Sequence, residues 1–92
     1  MKTEKIYRSD NVITFPVLEG KALHNLVDDT FYELDSDISE EIWENLDGLL
    51  TVEEIVQKLA SKYDVEEAQL EMDVEDFIGQ LSENGLAEKV KV

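Results

Sequence analysis

The chain changes its period between Thr30 and Gly48, and that change constrains the fold more than any other feature. Thr30 to Leu34, TFYEL, alternates two faces, Phe31/Glu33 against Thr30/Tyr32/Leu34, as a strand does. From Asp35 the apolar positions Ile38, Ile42, Trp43 and Leu46 recur at helical spacing. Asp35, Ser36 and Asp37 between the two are all good helix N-caps, because their short side chains accept from orphan backbone N–H groups. Gly48 is expected to end this helix in the left-handed conformation.

A second helix follows at once. Thr51-Val52-Glu53-Glu54 is a capping box, and Val52, Ile55, Val56, Leu59 and Tyr63 mark its buried face. The segment from Val65 to Asn84 reads as a third helix with a stripe of Leu70, Val74, Phe77, Ile78 and Leu81, stopped by Gly85. Residues 86–92, LAEKVKV, form a short extended tail.

Before the switch the chain has strand character. Asn11 to Leu18 is rich in β-branched and aromatic residues, with Pro16 suited to an edge or a bend. Glu19-Gly20-Lys21 reads as a hairpin turn, Ala22 to Val27 as a second strand, and Asp28-Asp29 as a second turn. The expected fold is therefore α+β: a three-stranded antiparallel sheet followed by three helices, with strands within about residues 5–34 and helices within about 36–84. The second and third helices with the tail have the layout of a winged helix-turn-helix. The register predicts that Tyr32 and Leu34 face the helices and that Phe31 and Glu33 face away.

Composition sets the function classes. Ninety-two residues allow one domain, 1–92, with a modest core and little room for a deep active site. The absence of cysteine removes disulfides and thiolate metal sites. No apolar run reaches membrane-span length and the N-terminus has no signal-peptide h-region, so a soluble cytoplasmic protein is expected. The net charge is −15, with residues 1–27 at +1 and residues 28–92 at −16. So acidic a helical half repels a phosphate backbone and attracts a basic partner. The third helical segment contains no Lys or Arg at all, which argues against a DNA-binding winged helix.

No catalytic grouping stands out. His24 is the only histidine and has no GxSxG-type nucleophile turn to serve, so it reads as a packed or surface residue. Asp73, Glu75 and Asp76 lie on a helix without calcium-loop spacing and read as a solvated face. The four glycines are scattered and make no phosphate loop. Trp43 lies on an apolar stripe and reads as core. No enzyme activity, cofactor or metal is expected. What remains is a strand whose outer edge can accept another strand. If the third strand is that edge, the third helix beside it makes a groove.

The FYELD junction, IWENLDG, TVEEIVQKLASKYDV and the Asp73-Val74/Phe77-Ile78/Leu81/Gly85-Leu86 pattern, in this order and spacing, resemble the PqqD-like leader-peptide-binding domain, the recognition element of ribosomally made, post-translationally modified peptides (RiPPs). The resemblance is clearest from Leu26 to Leu86. It implies a non-catalytic adaptor that takes the leader of a precursor peptide as an added strand and delivers it to a separate enzyme. The implied contacts are Thr30, Phe31, Tyr32, Glu33 and Leu34 on the strand and Leu70, Asp73, Val74, Asp76 and Phe77 on the third helix. Tyr32, Leu34 and Asp35 are worded more like the standalone proteins of lasso-peptide clusters, whose partners are a leader peptidase and a macrolactam-forming cyclase. The alternative is a peptide chaperone for a radical-SAM enzyme in pyrroloquinoline quinone or related biosynthesis.

Overall fold

In the computed structural model, which describes residues 2–91, the expected meander is formed by β2 (Val12–Val17), β3 (Gly20–Asn25) and β4 (Thr30–Leu34). It is antiparallel throughout, with Val17 opposite Gly20 at the first turn and Leu23 opposite both Thr14 and Tyr32. β4 is one edge of this sheet and β2 the other. The second turn carries Asp29 at a positive φ of 59°; Asp28 Oδ1 there accepts from the Thr30 amide at 3.2 Å and the Thr30 hydroxyl at 2.6 Å.

The three helices are α1 (Asp37–Glu44), α2 (Val52–Tyr63) and α3 (Glu67–Glu83). Ser36 caps α1, its side chain accepting from the Ser39 amide at 3.1 Å. The Thr51 capping box forms as read: the Glu54 amide donates to Thr51 Oγ1 at 3.2 Å and Glu54 accepts from the Thr51 amide at 2.8 Å. Beyond α3, the Leu86 amide donates to Leu81 O and the Gly85 amide to Ser82 O, the paired bonds of a Schellman stop.

A second three-stranded sheet was not foreseen. β1 (Lys5–Arg8) lies between β5 (Asp47–Thr51) and β6 (Ala87–Lys89), antiparallel to each. This relocates Gly48. It is no helix stop: α1 ends at Glu44, where the Asn45 amide and side chain both donate to the Glu41 carbonyl. Gly48 sits instead in β5 at φ 78°, where Lys5 opposes Thr51 but Tyr7 opposes Asp47, so the strand bulges. An added Cβ there meets Tyr7 Cβ and Val90 Cγ2 at 3.4 Å each.

The core lies between the inner face of the meander, the three helices and β1. Leu23, Leu34, Leu46, Val52, Ile55, Leu59, Val74 and Leu81 are essentially inaccessible. Trp43 is buried as read, and its indole N–H donates to Thr14 Oγ1 at 3.0 Å, which ties α1 to the sheet. Asn25 is the one buried polar side chain among the described residues. It is satisfied by donating to Asn84 O at 3.3 Å and accepting from the Val27 amide at 3.0 Å, so it joins β3 to the end of α3.

Candidate peptide-binding site

The edge of β4 is defined by alternation. The Leu26 amide donates to Asn11 O at 2.8 Å, which places the even-numbered residues of β3 in hydrogen bonds to β2 and the odd-numbered ones in bonds to β4. Leu23 is opposite Tyr32 and Lys21 opposite Leu34, so Tyr32 and Leu34 are committed to β3. The backbone groups of Phe31 and Glu33 then point outward, to the side on which no strand pairs among the described residues. The side chains follow the expected register. Leu34 is sealed in the core, Tyr32 is half-buried against the helices, and Phe31 and Glu33 are exposed.

Tyr32 links the edge to α3. Its hydroxyl donates to Gln80 Oε1 at 2.8 Å, and its ring lies 6.2 Å from that of half-buried Phe77. Burial, with the nearby Asp35 carboxylate, pushes the Tyr32 phenol above its ordinary pKa, so it remains a donor at neutral pH. Gln69, Asp73, Asp76 and Gln80 stand at i, i+4, i+7 and i+11 and so share one line along α3 with the residue that meets Tyr32. Asp73 and Asp76 are exposed, and Gln69 Nε2 donates to Asp73 Oδ1 at 3.1 Å. At the N-terminal end of this line an open hollow of about 350 Å³ is lined by Ile38, Val65, Glu66, Gln69, Leu70 and Asp73.

The structure thus brings Tyr32 and Phe77 together and sets Asp73 and Asp76 on the same line of α3 as Gln80. Leu70 borders the hollow, while Val74 and Leu34 are floor residues beneath the surface. Sequence reasoning missed Gln80 and Gln69, and also Ile38 and Val65 as walls of the hollow. The signal for Gln80 was its position three residues after Phe77 on a helix already assigned to the groove. A larger cleft, about 730 Å³, lies elsewhere, between β1 and the inner face of β2. Its lining includes Arg8, Thr14, Trp43 and Asp47; the Arg8 guanidinium lies 6.0 Å from the Trp43 ring and reaches Glu44 O at 3.4 Å. Val12 and Thr14 of the edge strand β2 line it, and there the Val12 amide already donates to Ser9 O at 3.2 Å.

Among the described residues no three His, Asp or Glu side chains converge to hold a metal ion, and no helix is long and apolar enough to cross a membrane. The surroundings of the β4 edge are acidic, with Glu33, Asp35, Glu66, Asp73 and Asp76 all exposed.

The family model described as coenzyme PQQ synthesis protein D (PqqD) matches residues 21–87. The chain belongs to the PqqD family. Two solved structures match this PqqD-family protein along nearly their whole length. TbiB1 in complex with the TbiA(beta) leader peptide is 30% identical, with a TM-score of 0.77, covering 89% of this chain and 94% of that one. Lasso peptide synthetase B1 complexed with the leader peptide is 23% identical, with a TM-score of 0.76, covering 91% and 98%; at that identity the likeness concerns the fold. No curated protein matches.

Proposed function

We propose that this PqqD-family protein is a peptide-binding adaptor of lasso-peptide biosynthesis. It captures the leader segment of a RiPP precursor as a strand added to β4 and presents it to a leader peptidase and cyclase. The observation that carries this reading is the outward-facing backbone of Phe31 and Glu33 beside α3, in a fold matched at 30% identity by a leader-peptide complex. Main-chain bonds give affinity that tolerates many sequences. Tyr32, Phe77 and the hollow between α1 and α3 select side chains. The acidic rim favours a leader with Lys or Arg near its anchors and speeds its encounter. The same rim disfavours nucleic acid, because α3 carries no cation.

The protein supplies no chemistry in this reading; binding energy from the remote leader positions the reacting core on another protein. Reconstitution tests it. Precursor and peptidase are combined with or without this protein, and the rate of leader removal is followed by mass spectrometry. Stimulation by the protein, with no cleavage by the protein alone, is expected. Full peptidase activity in its absence, or cleavage by it alone, rejects the adaptor role. The family description supports a second reading, in which the enzyme served is a radical-SAM enzyme of pyrroloquinoline quinone or related RiPP biosynthesis. A parallel reaction with that enzyme and its precursor discriminates the two.

A further inference from the structure

The β2–β3–β4 sheet has two edges, and strand addition to β4 uses one of them. The other is β2. Val12 and Thr14 of β2 line the cleft of about 730 Å³, against about 350 Å³ for the hollow beside α3. Alternate side chains of a strand laid along β2 would lie over that cleft. The exposed Asp10 and Asp47 on its walls suit a basic peptide. Arg8, the cation among its lining residues, is taken up by the Trp43 ring at 6.0 Å and Glu44 O at 3.4 Å. By volume and by charge, the β2 edge competes with β4 for an extended basic chain.

The backbone excludes it. The Leu26–Asn11 bond commits the odd-numbered residues of β2 to β3, with Ile13 opposite His24 and Phe15 opposite Ala22. Val12, Thr14 and Pro16 therefore turn their backbone groups outward, and their amides would be the donors of that edge. The Val12 amide is already bonded to Ser9 O. Pro16 has no N–H, and its ring fills the place from which one would donate. Among the described residues this leaves Thr14 as a single donor between two blocked positions. On β4 both outward residues, Phe31 and Glu33, carry an N–H. Nothing in the sheet itself calls for proline at residue 16: it is exposed, and it stands opposite Lys21 in a pair without ladder bonds.

We propose that Pro16 is a specificity-determining residue: together with the Ser9–Val12 bond it closes the β2 edge to an added strand, and so confines the leader to β4. The proposal rests on the strand-addition reading above. Affinity that comes from main-chain bonds tolerates many sequences, so side chains alone discriminate poorly between two edges of one sheet. Removing donors from one edge discriminates whatever the leader's sequence. The leader is then always presented beside α3.

The test is Pro16→Val, which restores the N–H and favours a strand. Amide exchange and calorimetric stoichiometry are followed as an unlabelled leader peptide is raised to about 100 times its Kd for the parent, two decades of affinity. In the parent, Phe31 and Glu33 should gain protection, Thr14 should keep its free exchange rate, and one leader should bind. In the variant, a second leader should bind within that range and protect the amides of Thr14 and residue 16. A variant that still binds one leader and leaves Thr14 at its free rate overturns the proposal. Thr14 protection by leader in the parent also overturns it, because the edge is then open with Pro16 in place. Thr14 protection in the variant before any leader is added places a second copy of the chain on that edge, and overturns the leader as the strand Pro16 excludes. A parent whose Phe31 and Glu33 amides stay unprotected at saturation brings down the strand-addition reading itself, and this proposal with it. Pro16→Thr replaces the variant if circular dichroism shows misfolding.

Discussion

Replacing Glu33 by proline isolates the edge of β4 from the rest of the fold. The Glu33 N–H points away from β3, so proline removes no ladder bond of the free protein. Proline restricts the residue before it to extended conformations, and Tyr32 is already in a strand. The cost therefore falls on the complex. A leader carbonyl that accepts from residue 33 is left without a partner in a partly desolvated groove, a loss of about 1–3 kcal/mol, or about 5- to 150-fold in Kd. Anisotropy of a labelled leader peptide measures it, with a urea transition of the free variant as the fold control. Glu33→Gln controls for the side chain and should stay near the parent at moderate salt. A proline variant with parental stability and parental Kd refutes the reasoning, because no main-chain bond would then run from residue 33 to the leader.

Reversing charge on α3 by Asp73→Lys with Asp76→Lys should slow association of a basic leader several-fold and flatten its salt dependence, as stopped-flow mixing would show; an unchanged on-rate assigns these carboxylates to solubility. Gly20→Ala should lower stability by more than about 1 kcal/mol in urea unfolding, because φ is 146° and the added Cβ falls 2.7 Å from Leu34 O; a neutral result would contradict this close approach of β3 to the end of β4. The Glu54 carboxyl is held below its ordinary pKa chiefly by the Thr51 amide. Its contribution is present above the unfolded pKa and lost as pH falls through the folded one. The stability gap between parent and Glu54→Gln should thus be widest near neutral pH and close in acid; a gap constant with pH excludes a charged cap.

The parts of the molecule that were legible in the sequence are those whose signals are local. The Thr51–Glu54 box is written in four consecutive residues, and the β2–β3–β4 meander needs only adjacent strands joined by short turns. The facing of Tyr32 and Phe31 followed from the period of two. The β5–β1–β6 sheet was illegible because its pairs are remote, Lys5 with Thr51 and Ile6 with Lys89, and strands of three to five residues hold too little period to read. Gly48 misled for the same reason. A glycine after an amphipathic helix reads as a stop, and only the bulge of β5 against β1, which holds Gly48 at φ 78°, shows why it is there. In the candidate site, the stripe through Phe77 was legible. Gln80 was not, because a polar residue on a helix flank gains meaning only when Tyr32 is seen to donate to it.

The central claim, that a leader adds as a strand to β4 against α3, is tested most directly by backbone amide exchange during titration with an unlabelled leader peptide. New protection should appear at Phe31 and Glu33, whose N–H groups face outward, with Tyr32 already protected by β3 in the free protein. Shift changes should continue along α3 through Asp73, Asp76 and Phe77. Saturable binding that leaves the Phe31 and Glu33 amides unprotected, or that perturbs only α1 and α2, would contradict the account.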